Sequence, residues 1–106
     1  MIDLSLRTFV TEEILNNDSP IVDVCLQMMK FLCEKNRRYG NSALEPMGAF
    51  YKGNSADSIL IRIDDKLQRV KNHSGPPREN DVVDLIGYLL LYCVSQGWND
   101  FDKFLD

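Results

Sequence analysis

At 106 residues and 12.2 kDa the chain has room for one domain with a modest core, and nothing in it suggests a second. A hydrophobic fraction of 44% and a charged fraction of 26% are those of an ordinary soluble globular protein, so the chain should fold. A net charge of −4 and a pI near 4.9 repel a nucleic-acid backbone and argue against a long phosphate-tracking groove, whereas a small anion can still be held by local cations, a helix N-terminus or metal ions.

Met1-Ile2-Asp3-Leu4 has no basic stretch before an apolar core, so no signal peptide is expected. Residues 1 to 17 mix apolar positions, Leu4, Leu6, Phe9, Val10, Ile14 and Leu15 among them, with Thr8, Thr11, Glu12 and Glu13. Thr11 is placed to cap a short turn running through Leu15. Asn16-Asn17-Asp18-Ser19-Pro20 is a strong break and a good helix start: Ser19 or Asp18 can accept from free amides, Pro20 suits the first helical position, and Asp23 favours the dipole. Ile21, Cys25, Met28 and Leu32, with Val24 and Phe31 beside them, then form the stripe of an amphipathic helix running to about Arg38. Lys35, Arg37 and Arg38 crowd its last turn, and Gly40 is placed to stop it.

Gly40, Pro46, Gly48 and Gly53 interrupt every period between residues 40 and 53, which read as a loop with at most one or two helical turns. Asn54 or Ser55 caps a charged helix in which Ala56, Ile59, Leu60, Ile63, Leu67 and Val70 converge on one face. Arg62, Lys66 and Arg69 occupy one flank of that face, and Asp65 points away from it. After the loop Lys71 to Arg78, with Pro76 or Pro77 placed to begin it, comes the most apolar helix, apolar over most of its circumference from Val82 to Val94 and therefore expected to be central. Gly97 ends it, and Trp98 is placed to fold back on its last turn. Phe101, Phe104 and Leu105 form a short amphipathic tail expected to pack on the bundle. The connection is too short for anything but an antiparallel hairpin over about residues 54 to 98, the stretch around which the chain is organised. The fold expected is an all-α helical bundle. Its longest apolar run, Leu85 to Val94, is too short to span a bilayer. Cys25, Cys33 and Cys93, odd in number and without CxxC spacing, read as buried reduced thiols in an intracellular protein.

Acidic positions in the apolar helix need a chemical reason. Asp81, Asp84 and Tyr88 share one face at i, i+3 and i+7, with Asp84 between Val83 and Leu85. A carboxylate there is costly unless paired or bound to metal. Mg²⁺ takes oxygen ligands, usually one or two carboxylates completed by water and substrate phosphate, and two facing helices can supply them. The plainer reading is that the acids favour the positive helix end and pair with Lys66 or Arg69 across the hairpin; DxxD alone is a weak motif, and spacing favours this reading.

Arg62-Ile63-Asp64-Asp65-Lys66-Leu67-Gln68-Arg69 and Asp84-Leu85-Ile86-Gly87-Tyr88, with Glu34-Lys35 and Tyr39-Gly40-Asn41-Ser42 upstream, resemble a small phage-associated branch of the MazG-like all-α nucleoside triphosphate pyrophosphohydrolases, described as nucleotide-modification-associated. The resemblance covers about residues 25 to 95. In that superfamily an EExxE helix and a following ExxD helix bind Mg²⁺ for cleavage of a nucleoside triphosphate to monophosphate and pyrophosphate. The resemblance implies Asp64 and Asp65 as the paired acids and Asp81 and Asp84 as the ends of ExxD, all four as metal ligands. Gln68 stands where the third acid is expected, a departure that Glu79 or Glu34 would have to offset.

On this reading Asp65, Lys66 and Asp84 carry the chemistry, Lys35, Arg62, Lys66 and Arg69 meet phosphate, and Tyr39 or Tyr88 stacks on a base. The plainer alternatives are a solvated basic flank with i, i+4 pairs, helix-end packing for Tyr39, close helix approach at Gly87-Tyr88, and an exposed loop residue in His73. The resemblance also implies a homo-oligomer, a dimer or tetramer, which the apolar surface of so short a chain favours in its own right. It places the protein in the cytoplasm, that of the host cell if phage-encoded, with a nucleotide ligand and no membrane or long nucleic acid. Two further function classes stand beside the enzyme: a non-catalytic nucleotide-binding or protein-binding module on the same scaffold, and a plain interaction domain.

Overall fold

The computed structural model describes residues 4–16, 18–39 and 55–105, the side chains of Tyr39 and Ser55 excepted. Their regular structure is entirely helical: α1 (Leu4–Asn16), α2 (Pro20–Tyr39), α3 (Ser55–Asn72), α4 (Glu79–Gln96) and a 3₁₀ turn at Asp102–Phe104. The protein is all-α. The loop expected over 40 to 53, the stop at Gly40 and the alternative cap at Asn54 lie outside the described residues. Two compact units divide the chain, Met1–Cys33 and Glu34–Asp106; the division falls within α2 and not in a linker, which is why no change of composition marks it.

In the first unit, the turn expected after Thr11 is part of a longer helix. α1 begins at Leu4, and the Thr8 hydroxyl donates to the Leu4 carbonyl at 3.0 Å, inside a turn that the expected cap would have placed before the helix. Periodicity gave no sign of this helix because its apolar residues point in all directions instead of forming a stripe. None of them is buried. The start of α2 follows the sequence reading: Pro20 opens the helix, and the Ser19 carbonyl accepts from the Asp23 amide at 3.2 Å. The expected stripe is sheltered in its second half, with Met28 buried and Phe31 and Leu32 half-buried; in the first half Val22 and Leu26 are half-buried instead, while Ile21 and Cys25 are exposed.

The second unit is built on the α3–α4 hairpin. Ile59 and Ile63 of α3 are buried, as is Gly87 of α4. Leu60 and Leu67, expected on the same face, are exposed, because a hairpin shelters only the strip of α3 that looks at its partner and these residues lie on its flanks. The loop turns at Gly75, whose φ of 91° lies in the left-handed region. α4 begins at Glu79, not at Pro76 or Pro77, after an extended Arg78. It ends as the sequence predicts. Gly97 takes φ 72°, its amide donates to the Val94 carbonyl at 3.1 Å, and that of Trp98 donates to the Cys93 carbonyl at 2.9 Å. Trp98 folds back edge-on to Tyr92, ring centroids 5.7 Å apart.

Three expectations about burial are corrected. The apolar girth of α4 is only partly sheltered, with Val82, Leu89, Leu90 and Val94 exposed. Cys25 and Cys33 are exposed and Cys93 half-buried, so the thiols are not core residues. Phe101, Phe104 and Leu105 face solvent: one 3₁₀ turn, pinned by the Asp100 carboxylate accepting from the Asp102 amide at 3.1 Å, offers no face that could hold all three against a helix. Among the described residues no helix is long and apolar enough to cross a membrane.

Candidate functional site

Antiparallel packing brings a four-residue step along α3 opposite a four-residue step back along α4. Arg62 thus meets Tyr88, its guanidinium carbon 5.9 Å from the ring centroid, and Lys66 one turn on meets Asp84. The i, i+3 spacing on α4 places Asp81 on the same face, so both carboxylates converge on one ammonium: Lys66 Nζ lies 2.9 Å from Asp84 Oδ2 and 3.6 Å from Asp81 Oδ1. The other oxygen of Asp84 lies 3.9 Å from Lys35 Nζ near the end of α2. The result is a cluster of two cations and two anions on three helical segments of the second unit.

Burial makes this cluster more than a surface pair. Only 13% of the Lys66 side chain and 9% of the Asp81 side chain are exposed, against 26% for Asp84. The Lys66 pKa is raised above its ordinary value, chiefly by its hydrogen bond to Asp84; desolvation opposes this, as does nearby Arg69, and the charges of Asp84 and Asp81 reinforce it. The ammonium is therefore held in its charged form. No buried side-chain nitrogen or oxygen among the described residues lacks a hydrogen-bond partner.

The other predicted site residues are distributed differently. Asp64 is exposed on α3, and Asp65 pairs along its own helix with Arg69, Nε to Oδ2 at 3.4 Å, both side chains 60% exposed. Neither joins Asp81 and Asp84, because residues one and two positions before Lys66 are turned about 100° and 200° away on the helix. Gln68 is exposed too; Glu34 accepts from Arg37 at 2.6 Å; and Glu79 is exposed in the first turn of α4. Among the described residues no three His, Cys, Asp or Glu side chains are grouped to hold a metal ion. Tyr39 ends α2, and its side chain lies outside the described residues. The pairing of Asp81 and Asp84 across the hairpin, read from spacing as the plainer alternative, is present, with Lys66 and not Arg69 as the partner.

One feature of the site was missed in the sequence. At the loop end of the hairpin an open recess of about 370 Å³ is lined by Arg69, Asn72, His73, Arg78, Asn80 and Asp81. The last turn of α3 contributes the first two and the first turn of α4 the last two, with His73 and Arg78 at the two ends of the connecting loop. The available signal was the count of cations at the hairpin tip, which only the turn at Gly75 gathers to one place. Compared with models of known protein families, with curated proteins and with solved structures, the chain has no match in any of the three.

Proposed function

We propose that the chain is a MazG-like, Mg²⁺-dependent nucleoside triphosphate pyrophosphohydrolase-like protein, phage or phage-derived, acting on a nucleotide or deoxynucleotide in the cytoplasm, that of the host cell if phage-encoded. One observation carries this reading: Asp81 and Asp84 direct their carboxylates onto a single cation, the Lys66 ammonium, with a second ammonium, that of Lys35, beside them. Two carboxylates around one cationic position are what a protein commonly contributes to a Mg²⁺–phosphate site, where water and substrate phosphate supply the other ligands. Asp81 and Asp84 are the residues that would hold the ion, which when bound would offset the triphosphate charge and favour departure of pyrophosphate. Lys66 and Lys35 then serve the phosphate oxygens, exchanging carboxylate for phosphate partners. A base reaches the face of Tyr88 by taking the place of Arg62.

A second reading, a nucleotide-binding module without hydrolysis, is favoured by the position of Asp65, which pairs with Arg69 on the outer flank and leaves two acids where the resemblance implies more. The exposed Leu89, Leu90 and Val94 of α4 support a homo-oligomer that completes a helical bundle. Nucleotide binding is tested by the melting temperature with ribo- and deoxynucleoside triphosphates, with and without Mg²⁺. At ten times Kd a ligand stabilises by about 1.4 kcal/mol, several degrees for a domain of this size. A Mg²⁺-dependent rise that Asp84→Asn abolishes is expected; no rise with any nucleotide contradicts both readings.

A further inference from the structure

We propose that the recess at the loop end of the α3–α4 hairpin is a phosphate-binding subsite, formed by Arg69, His73 and Arg78 around the first turn of α4. The inference does not rest on the nucleotide reading, although it shares Asp81 and Arg69 with it: the Asp81 carboxylate is already offset by Lys66, and Arg69 pairs with Asp65 on the outer flank.

Shape limits the ligand first. A volume of about 370 Å³ lies near the lower end of ligand pockets, which run from about 300 to 1,000 Å³, and suits one or two phosphate groups better than a whole nucleotide. Polarity then selects an anion. The residues that line the recess carry two guanidinium groups, an imidazole and two side-chain amides, against one carboxylate. Guanidinium matches phosphate with paired donors. The Arg69 pair with Asp65 is exposed on both sides and contributes little, so a dianion competes for that arginine effectively. Arg78 forms no ion pair among the described residues and, as the residue preceding α4, provides no side-chain cap to it. The amides of the first turn therefore have no helical acceptor; the first backbone bond of the helix runs from the Val82 amide to the Arg78 carbonyl at 3.1 Å. These amides add to a site the side chains already define.

Two sources of the phosphate share this chemistry: a free anion such as pyrophosphate, or the phosphate end of a nucleotide whose remainder lies against the neighbouring cluster. The test is calorimetric titration of the full chain with inorganic pyrophosphate, without divalent metal, for the wild type, Arg78→Gln, the double variant Arg78→Gln/His73→Gln, and, as a charge control outside both sites, the exposed Lys103→Gln. Arg78 is exposed, so its replacement leaves the fold intact, which circular dichroism checks. The expected result is binding weakened roughly tenfold by Arg78→Gln, the loss of one charge-assisted hydrogen bond, further weakened in the double variant and little changed by Lys103→Gln. Amide resonances of residues 72, 73 and 78 to 81 should shift on titration. Absence of binding to the wild type, equal binding by all variants, or amide shifts centred on Lys35 and Lys66 would each overturn the proposal. Repeating the titration with a nucleoside triphosphate separates the sources: the same loss in Arg78→Gln places a nucleotide phosphate in the recess, and indifference to it assigns the recess to the free anion.

Discussion

Lys66 is the residue on which the hairpin's charges depend, and its surroundings fix the sign of two predictions. Replacing it with Met keeps the apolar stem but leaves Asp81 and Asp84 facing each other without a cation. Removing one partner of a buried pair costs about 3–5 kcal/mol, and because Asp84 is partly exposed the expected loss here is about 2–4 kcal/mol, read from urea unfolding. Asp65→Asn, by contrast, breaks a pair exposed on both sides and should change stability by no more than about 0.5 kcal/mol. The pH dependence follows from the raised Lys66 pKa. Its contribution is fully present below the ordinary value of 10.5 and is lost as pH rises through the higher folded-state value, so above about pH 10.5 the wild type should lose more stability than Lys66→Met. The sequence disclosed most of this: the i, i+3 spacing of the aspartates and the place of Lys66 beside the apolar face point to their meeting. The i, i+4 pair of Asp65 with Arg69 was legible as the plainer reading of the basic flank, whereas the service of both acids by Lys66 was not, because it depends on the rotation of α3 about its axis.

At the scale of the element, legibility tracks how sharply the sequence punctuates each helix. Pro20 and Gly97 mark boundaries that the structure reproduces, one by its fixed φ and the other by its positive φ. No added Cβ at Gly97 would meet another atom within 4 Å, so Gly97→Ala should be penalised through the backbone alone, by about 1 kcal/mol, and Gly97→Asn by less. Chemical unfolding of both variants checks the order. α1 was illegible for the opposite reason: its apolar residues form no stripe, and Thr11 offered a cap signal that the continuous helix overrides. The stripe of α2 was read correctly at Met28 and Leu32 and one position away at its start, since Val22 and Leu26 are as apolar as the Ile21 and Cys25 beside them. The recess at the hairpin tip belongs to no element. Arg69, His73 and Arg78 meet there through the turn of the loop, and pattern reading along single helices does not reach such a grouping.

For the whole molecule, the all-α class was legible and the burial only in part: Met28, Ile59 and Ile63 are buried on the faces read for them, but much of the rest is not. The helix expected to be central leaves Leu89, Leu90 and Val94 exposed, and the expected packing of the C-terminal aromatic residues does not occur. If self-association covers α4, light scattering at micromolar concentration should give a dimer or larger species, and Leu90→Glu should shift it towards the monomer; a strict monomer for the wild type would contradict the proposed oligomer. The proposed chemistry is tested most directly by pyrophosphate release from a panel of ribo- and deoxynucleoside triphosphates, with and without Mg²⁺, for the wild type and Asp84→Asn. The account predicts release that requires Mg²⁺ and that Asp84→Asn loses. Silence across the panel, or release that persists undiminished in Asp84→Asn, would contradict it.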